Sequence, residues 1–231
     1  MSATVSFPAQ TAAAARKTPG QRFGLLLVAL LATLLVQGAA PAGDVQRVIV
    51  SALIGATLVL ALRVGRARRW LVHAAMLVAS VLVVTTAVEA AAGRVDALST
   101  AIANGMLVGL APPAVVIGVI RAMRREQRIP VEAVIGVLCL YLLFGMLCAF
   151  TWSVLDHLDG PFFSGGHPGS ASQFQYFSFA TLTTVGYGDL TARTPLGHTL
   201  AVLEALVGQV YLVTVVSLFV TNVGRARSEG G

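Results

Sequence analysis

Charge is scarce in this sequence. Only 11% of its 231 residues are Asp, Glu, Lys or Arg, while 56% are hydrophobic and mean hydropathy is +0.82. A soluble domain carries about a quarter charged residues to cover its surface, so a soluble globular fold is excluded. Cysteine is almost absent too. Cys139 and Cys148 sit in one apolar block, on opposite faces of a helix and about 13 Å apart along its axis. That geometry excludes a disulfide within the chain, and both read as small hydrophobes. The four histidines, His73, His157, His167 and His198, are scattered. With no metal-ligand spacing, nucleophile elbow or phosphate loop, nothing points to an enzyme or to a cofactor.

What is present is a series of long apolar blocks, at approximately 23–40, 48–65, 71–92, 98–120, 131–153 and 196–222. Each is near the roughly 20 residues that an α-helix needs to cross about 30 Å of hydrocarbon. The expectation is an all-α polytopic membrane protein with six spans. The first two blocks, separated by Pro41-Ala42-Gly43-Asp44, leave a re-entrant pair as a rival, and the first block alone could be read as a signal peptide. Basic residues orient the bundle. With the N-terminus and every second loop in the cytoplasm, thirteen of the sixteen Lys and Arg lie inside and only Arg47, Arg94 and Arg193 outside. Both termini are then cytoplasmic, in the plasma or inner membrane. The formal charge of +6 reads as anchoring to anionic lipid headgroups at the cytoplasmic loops and not as nucleic-acid binding.

Between the fifth and sixth blocks, the run from Asp156 to Ser170 is rich in turn formers and reads as an exposed turret. Gln173 to Thr184 follows as about three helical turns, apolar and aromatic, too short to span. A half-length helix beside irregular backbone is tolerated at membrane depth only when protein or a water-filled cavity shields it. The irregular part is Thr183-Thr184-Val185-Gly186-Tyr187-Gly188-Asp189. Here the chain resembles the potassium channel superfamily, whose filters carry this Thr-Val-Gly-Tyr-Gly run. The resemblance covers residues 131–222 and implies potassium coordination by Thr184, Val185, Gly186, Tyr187 and Gly188.

Each residue type has a physical reason. A dehydrated cation needs replacement oxygens, and inward-pointing carbonyls supply them. Gly186 and Gly188 permit the dihedrals that such alignment requires. Thr183, Asp189, Tyr176 and Phe177 would support the filter, with Arg193 a candidate partner for Asp189, since Ala180 stands where some members carry a pairing glutamate. One strand cannot enclose an ion, so three further copies of the chain are expected.

On the last span, Gly208 matches the family's hinge glycine, or else permits close helix packing. Phe219, sharing a stripe with Val215, Leu218 and Asn222, could close the inner mouth or pack in the core. Glu204 is an intramembrane acid, functional by default, or a structural hydrogen-bonding group.

The expected organisation is a cytoplasmic tail 1–22, a four-helix sensor-like domain 23–120 and a basic linker 121–130. The pore domain 131–222 and a short cytoplasmic tail 223–231 follow. The fourth span carries no arginine before Arg121, so the expected function is a passive, potassium-selective homotetrameric channel without strong voltage gating. Arg121, Arg124, Arg125 and Arg128 read as an interfacial linker on lipid headgroups, with a displaced sensor as the rival. A non-selective cation pore, a transporter subunit and an accessory membrane protein with a dead pore are the alternative functions.

Overall fold

The computed structural model describes residues 19–39, 43–93, 96–124 and 131–228, and the side chains of all of these but 19–21, 131, 216 and 218–228. It contains α1 (Pro19–Ala39), α2 (Asp44–Val64), α3 (Arg69–Ala91), α4 (Ala97–Met123), α5 (Val131–Leu158), α6 (Ala171–Leu182) and α7 (Pro195–Ser228). Six of these, all but α6, include stretches long and apolar enough to cross a membrane. The reason is general: in hydrocarbon every backbone N–H and C=O must find its partner within the segment, and a helix supplies all of them. The first two blocks are separate helices, each of spanning length.

The core lies where α1, α2, α4 and α5 meet, around Leu26, Leu30, Ile54, Val108, Val115 and Leu143. α3 flanks it, contributing Ala75 to the core and touching α2 where Gly55 faces Ala79, and leaves Leu77, Val81, Val84 and Val88 exposed. Small residues at such a contact let helix backbones approach closely without a hydrophobic drive. α4 runs unbroken through Pro112 and Pro113, although each removes one N–H and so strips a partner from the carbonyls of Val108 and Gly109.

Arg121 has a partner within the chain. Its guanidinium donates to the Gly65 carbonyl at the C-terminal end of α2, where a cation interacts favourably with the helix dipole. Arg125 and Arg128 lie outside the described residues.

The turret is also more ordered than its composition suggests. Asp156 is buried and accepts from the backbone N–H of Phe162 at 2.8 Å and of Gly169 at 3.3 Å. Phe162 and Phe163 then turn inward onto Trp152, Phe174 and Phe177 to form a second, aromatic core. A single bridge pairs Phe163 with Ala192, tying the turret to the segment that follows Asp189.

Candidate functional site

α6 starts on a capping box, in which the Ser170 hydroxyl accepts from Gln173 N–H and the Gln173 side chain accepts from Ser170 N–H. It ends after 12 residues because the chain leaves helical dihedrals at Thr184. The carbonyl of Ala180 accepts from both Val185 N–H, at 2.9 Å, and Gly186 N–H, at 3.1 Å, so the turn folds back tightly on the helix. φ is +59° at Thr184, +54° at Gly186 and +79° at Gly188. Glycine takes such values freely, whereas a β-branched residue does so only when its surroundings hold it there. The composition pointed to both glycines but not to Thr184.

Residues 183–189 are exposed along their whole length in the protomer. The rings of Tyr176 and Tyr187 stack at 5.9 Å with planes 9° apart, and Tyr176 donates its hydroxyl to Asp189 at 3.0 Å. Asp189 therefore finds its partner in Tyr176. Arg193 donates instead to the Asp159 carbonyl at 3.2 Å. Phe177 does not reach this strand. It is buried on the opposite side of α6, edge-on to Trp152 at 6.1 Å and to Phe162 at 5.5 Å.

Behind α6 lies a polar cluster. Glu204 is 3% exposed; its Oε2 accepts from Trp152 Nε1 at 3.2 Å and its Oε1 accepts from the Ser178 hydroxyl. The Ser178 hydroxyl also lies 2.7 Å from the Gly145 carbonyl, and having one proton it serves one acceptor at a time. The cluster joins α5, α6 and α7. A buried acid in a span must have partners, but no spacing in the chain singles out Trp152 or Ser178 from its neighbours.

Gly208 is packed against the C-terminal end of α6. A Cβ there would strike the Leu182 carbonyl oxygen and lie 2.7 Å from Leu182 Cδ1. The same carbonyl accepts from the Tyr141 hydroxyl at 3.1 Å. Close packing thus accounts for the glycine. Gly208→Ala is expected to push α7 off α6 and to lower stability by about 1–3 kcal/mol, read as a fall in the thermal unfolding midpoint. An unchanged midpoint would mean that the contact is slack. The side chains of Leu218, Phe219 and Asn222 lie outside those described.

Comparison of the sequence points to an ion-conducting class of protein. Residues 136–225 fit a family model described as an ion channel. Within that class, the chain is 41% identical over 59 residues to the inward rectifier potassium channel Kirbac3.1 of Paramagnetospirillum magnetotacticum, a stretch covering 26% of this chain and 20% of that protein. The chain thus matches about a fifth of the length of this curated relative. No solved structure matches. Over this part of its length the chain is similar to ion channels, a potassium channel among them, which are transport proteins and not enzymes.

Proposed function

We propose that the chain is one subunit of a homotetrameric potassium-selective channel of the cell membrane, passing K+ passively down its electrochemical gradient. The observation that carries this reading is the alternation of positive φ at Thr184, Gly186 and Gly188. An extended strand sends successive carbonyls to opposite sides. A left-handed residue at every second position brings them to one side, as a column of oxygens for a dehydrated cation requires. Thr184, Val185, Gly186 and Tyr187 then coordinate K+ through backbone oxygens, with the Thr184 hydroxyl below and Gly188 completing the run. Tyr176, Thr183 and Asp189 brace the column, and Phe177 acts at one remove through the aromatic core.

α6, about 18 Å long at 1.5 Å per residue, is read as the re-entrant pore helix. Four copies are needed because one strand offers oxygens from one side only. In the single chain the filter residues are exposed, and so are Val202, Leu206, Val210 and Val213 of α7, at 59%, 55%, 65% and 59%. Other copies of the chain, with lipid, would cover these surfaces. Residues 131–222 form the pore domain, 23–120 the sensor-like domain and 121–130 the linker, between the tails 1–22 and 223–231. The distribution of basic residues favours cytoplasmic termini and contact of the loops with anionic headgroups. Gly208, Glu204 and Phe219 remain the gating candidates; a bend at Gly208 would have to part α7 from Leu182.

Little charge is available to a membrane field, since α4 holds no arginine above Arg121 and Arg121 is bound to the Gly65 carbonyl. In planar bilayers under a potassium/sodium gradient, the expected result is reversal near the potassium equilibrium potential, with open probability nearly flat in voltage. Reversal near zero would overturn the selectivity. Steep activation by voltage would overturn the reading of α4.

A further inference from the structure

Three glutamines join the first two helices to one another and to α6. At the end of α1, the Gln37 side chain donates to the Ala171 carbonyl of α6 at 3.3 Å, and Gln175 of α6 donates back to the Leu34 carbonyl of α1 at 2.9 Å. Gln46, in the first turn of α2, donates to the Val36 and Gln37 carbonyls at 3.2 and 3.0 Å. Those two carbonyls are among the last four of α1, which no helical N–H reaches, so Gln46 caps the helix. The bonds of Gln37 and Gln175 do something else. Leu34 and Ala171 lie within helices, where the N–H four residues on serves each carbonyl, and each accepts the amide on its second lone pair. Neither amide is needed to satisfy the backbone. Each crosses from one helix to the other, in opposite directions, one turn apart. Holding them there has a cost. Gln37 is 4% exposed, and Gln37 Oε1 and Gln175 Oε1 are buried without a hydrogen-bond partner. Such groups in a folded chain call for a reason.

Their placement supplies one. α6 has 12 residues and continues into non-helical chain at both ends, so tertiary contacts fix its direction. On one side, Gly145 and Tyr141 of α5 hold Ser178 and Leu182. On another, α1 is the one helix of the first four that packs against α6 among the described residues. Gln175 immediately precedes Tyr176, whose ring stacks on Tyr187 and whose hydroxyl reaches Asp189. Leu34 and Gly38 of α1 also line one hollow together with Val185 and Tyr187. α1 thus stands beside the proposed filter strand as well as against the helix that carries it.

We infer that Gln37 and Gln175 are positioning residues for ion selectivity: a reciprocal amide tie by which α1 holds α6, and through it Tyr176, against the segment from Thr183 to Asp189. Polar side chains are the specific glue between helices in hydrocarbon, where apolar contact alone has little preference for one neighbour over another. The tie gives the first four helices, which offer little charge to a membrane field, a part in conduction. They brace the pore helix from outside. The inference rests on the channel reading proposed above and adds to it.

Gln37→Met and Gln175→Met keep the reach of each side chain and remove its N–H donors. Each also removes an unpaired buried oxygen and strands no carbonyl, so the thermal midpoint of the full chain carrying both should stay within about 3 °C of the native value. Its reversal potential in planar bilayers under a potassium/sodium gradient should move all the same, the sodium-to-potassium permeability ratio rising about tenfold. A ratio unchanged in the double variant, whatever its midpoint, would overturn the inference. Should that variant fail to fold, Gly38→Leu decides. A Cβ at Gly38 lies 3.4 Å from Gln175 Nε2, so a leucine there crowds the amide off Leu34 with both glutamines in place. The same rise supports the tie, and an unchanged ratio overturns it. A native chain without selectivity would overturn the channel reading first, and hydrogen exchange then tells whether the tie falls with it. The amides of 171–182 should exchange faster in the double variant while those of α3 do not change; equal exchange throughout would overturn the tie as well.

Discussion

Replacing Gly186 by alanine is expected to abolish potassium-selective flux while leaving the helices folded. Gly186 has φ +54°, and nothing lies within 4 Å of a Cβ built there in the protomer. The penalty is therefore conformational: about 1–2 kcal/mol for an L-residue held in the left-handed region. In the proposed fourfold filter it recurs at one ring, for a total of about 4–8 kcal/mol, enough to favour a strand whose carbonyls no longer share a side. Gly188, at φ +79°, should respond in the same way. Thr184→Gly should not, because Thr184 already bears the cost at +59° and glycine would relieve it. The comparison is made by potassium and sodium flux into liposomes, with helical circular dichroism as the control for folding. Selective flux retained by Gly186→Ala would sink the alignment account, since the backbone would then not depend on the left-handed residue.

The spans were legible because hydrocarbon imposes one simple rule on length and polarity. Their boundaries shifted by a few residues, as at α5, which continues to Leu158 and carries Asp156 into the aromatic core. Turn-rich composition could not foretell that Asp156 would be buried, because the cause is a pair of backbone N–H groups, of Phe162 and Gly169, closing on it from further along the chain. The left-handed backbone of the proposed filter segment could be read at its glycines. Its neighbours could not. Tyr176 and Phe177 are adjacent and chemically alike, yet helical geometry turns one toward Tyr187 and the other into the core. Arg193 was a reasonable partner for Asp189 by charge alone, but the Tyr176 hydroxyl is the group within reach. In each case tertiary contact decided what local pattern left open.

Glu204→Leu is expected to prevent assembly, whereas Glu204→Gln is expected to permit it. Leucine has no acceptor, so Trp152 Nε1 loses its recorded partner, and Ser178 is left with Gly145 alone. A stranded buried group costs about 1–3 kcal/mol. In a tetramer the loss is counted four times, at the place where α5, α6 and α7 are joined. Glutamine can replace each bond: its carbonyl oxygen accepts from Trp152, and its amide donates to Ser178 Oγ, which gives its own proton to the Gly145 carbonyl 2.7 Å away. Size-exclusion chromatography of each variant, followed by potassium flux from reconstituted protein, separates the possibilities. Assembly and flux unimpaired in the leucine variant would show that the cluster does not hold α6 in place. Loss of both in the glutamine variant would mean that hydrogen bonding is insufficient and that the carboxylate itself is required. Assembly with altered flux in the glutamine variant would locate the role of Glu204 in gating, where an acid two turns inside α7 and in contact with α6 is placed to act on the segment from Thr183 to Asp189.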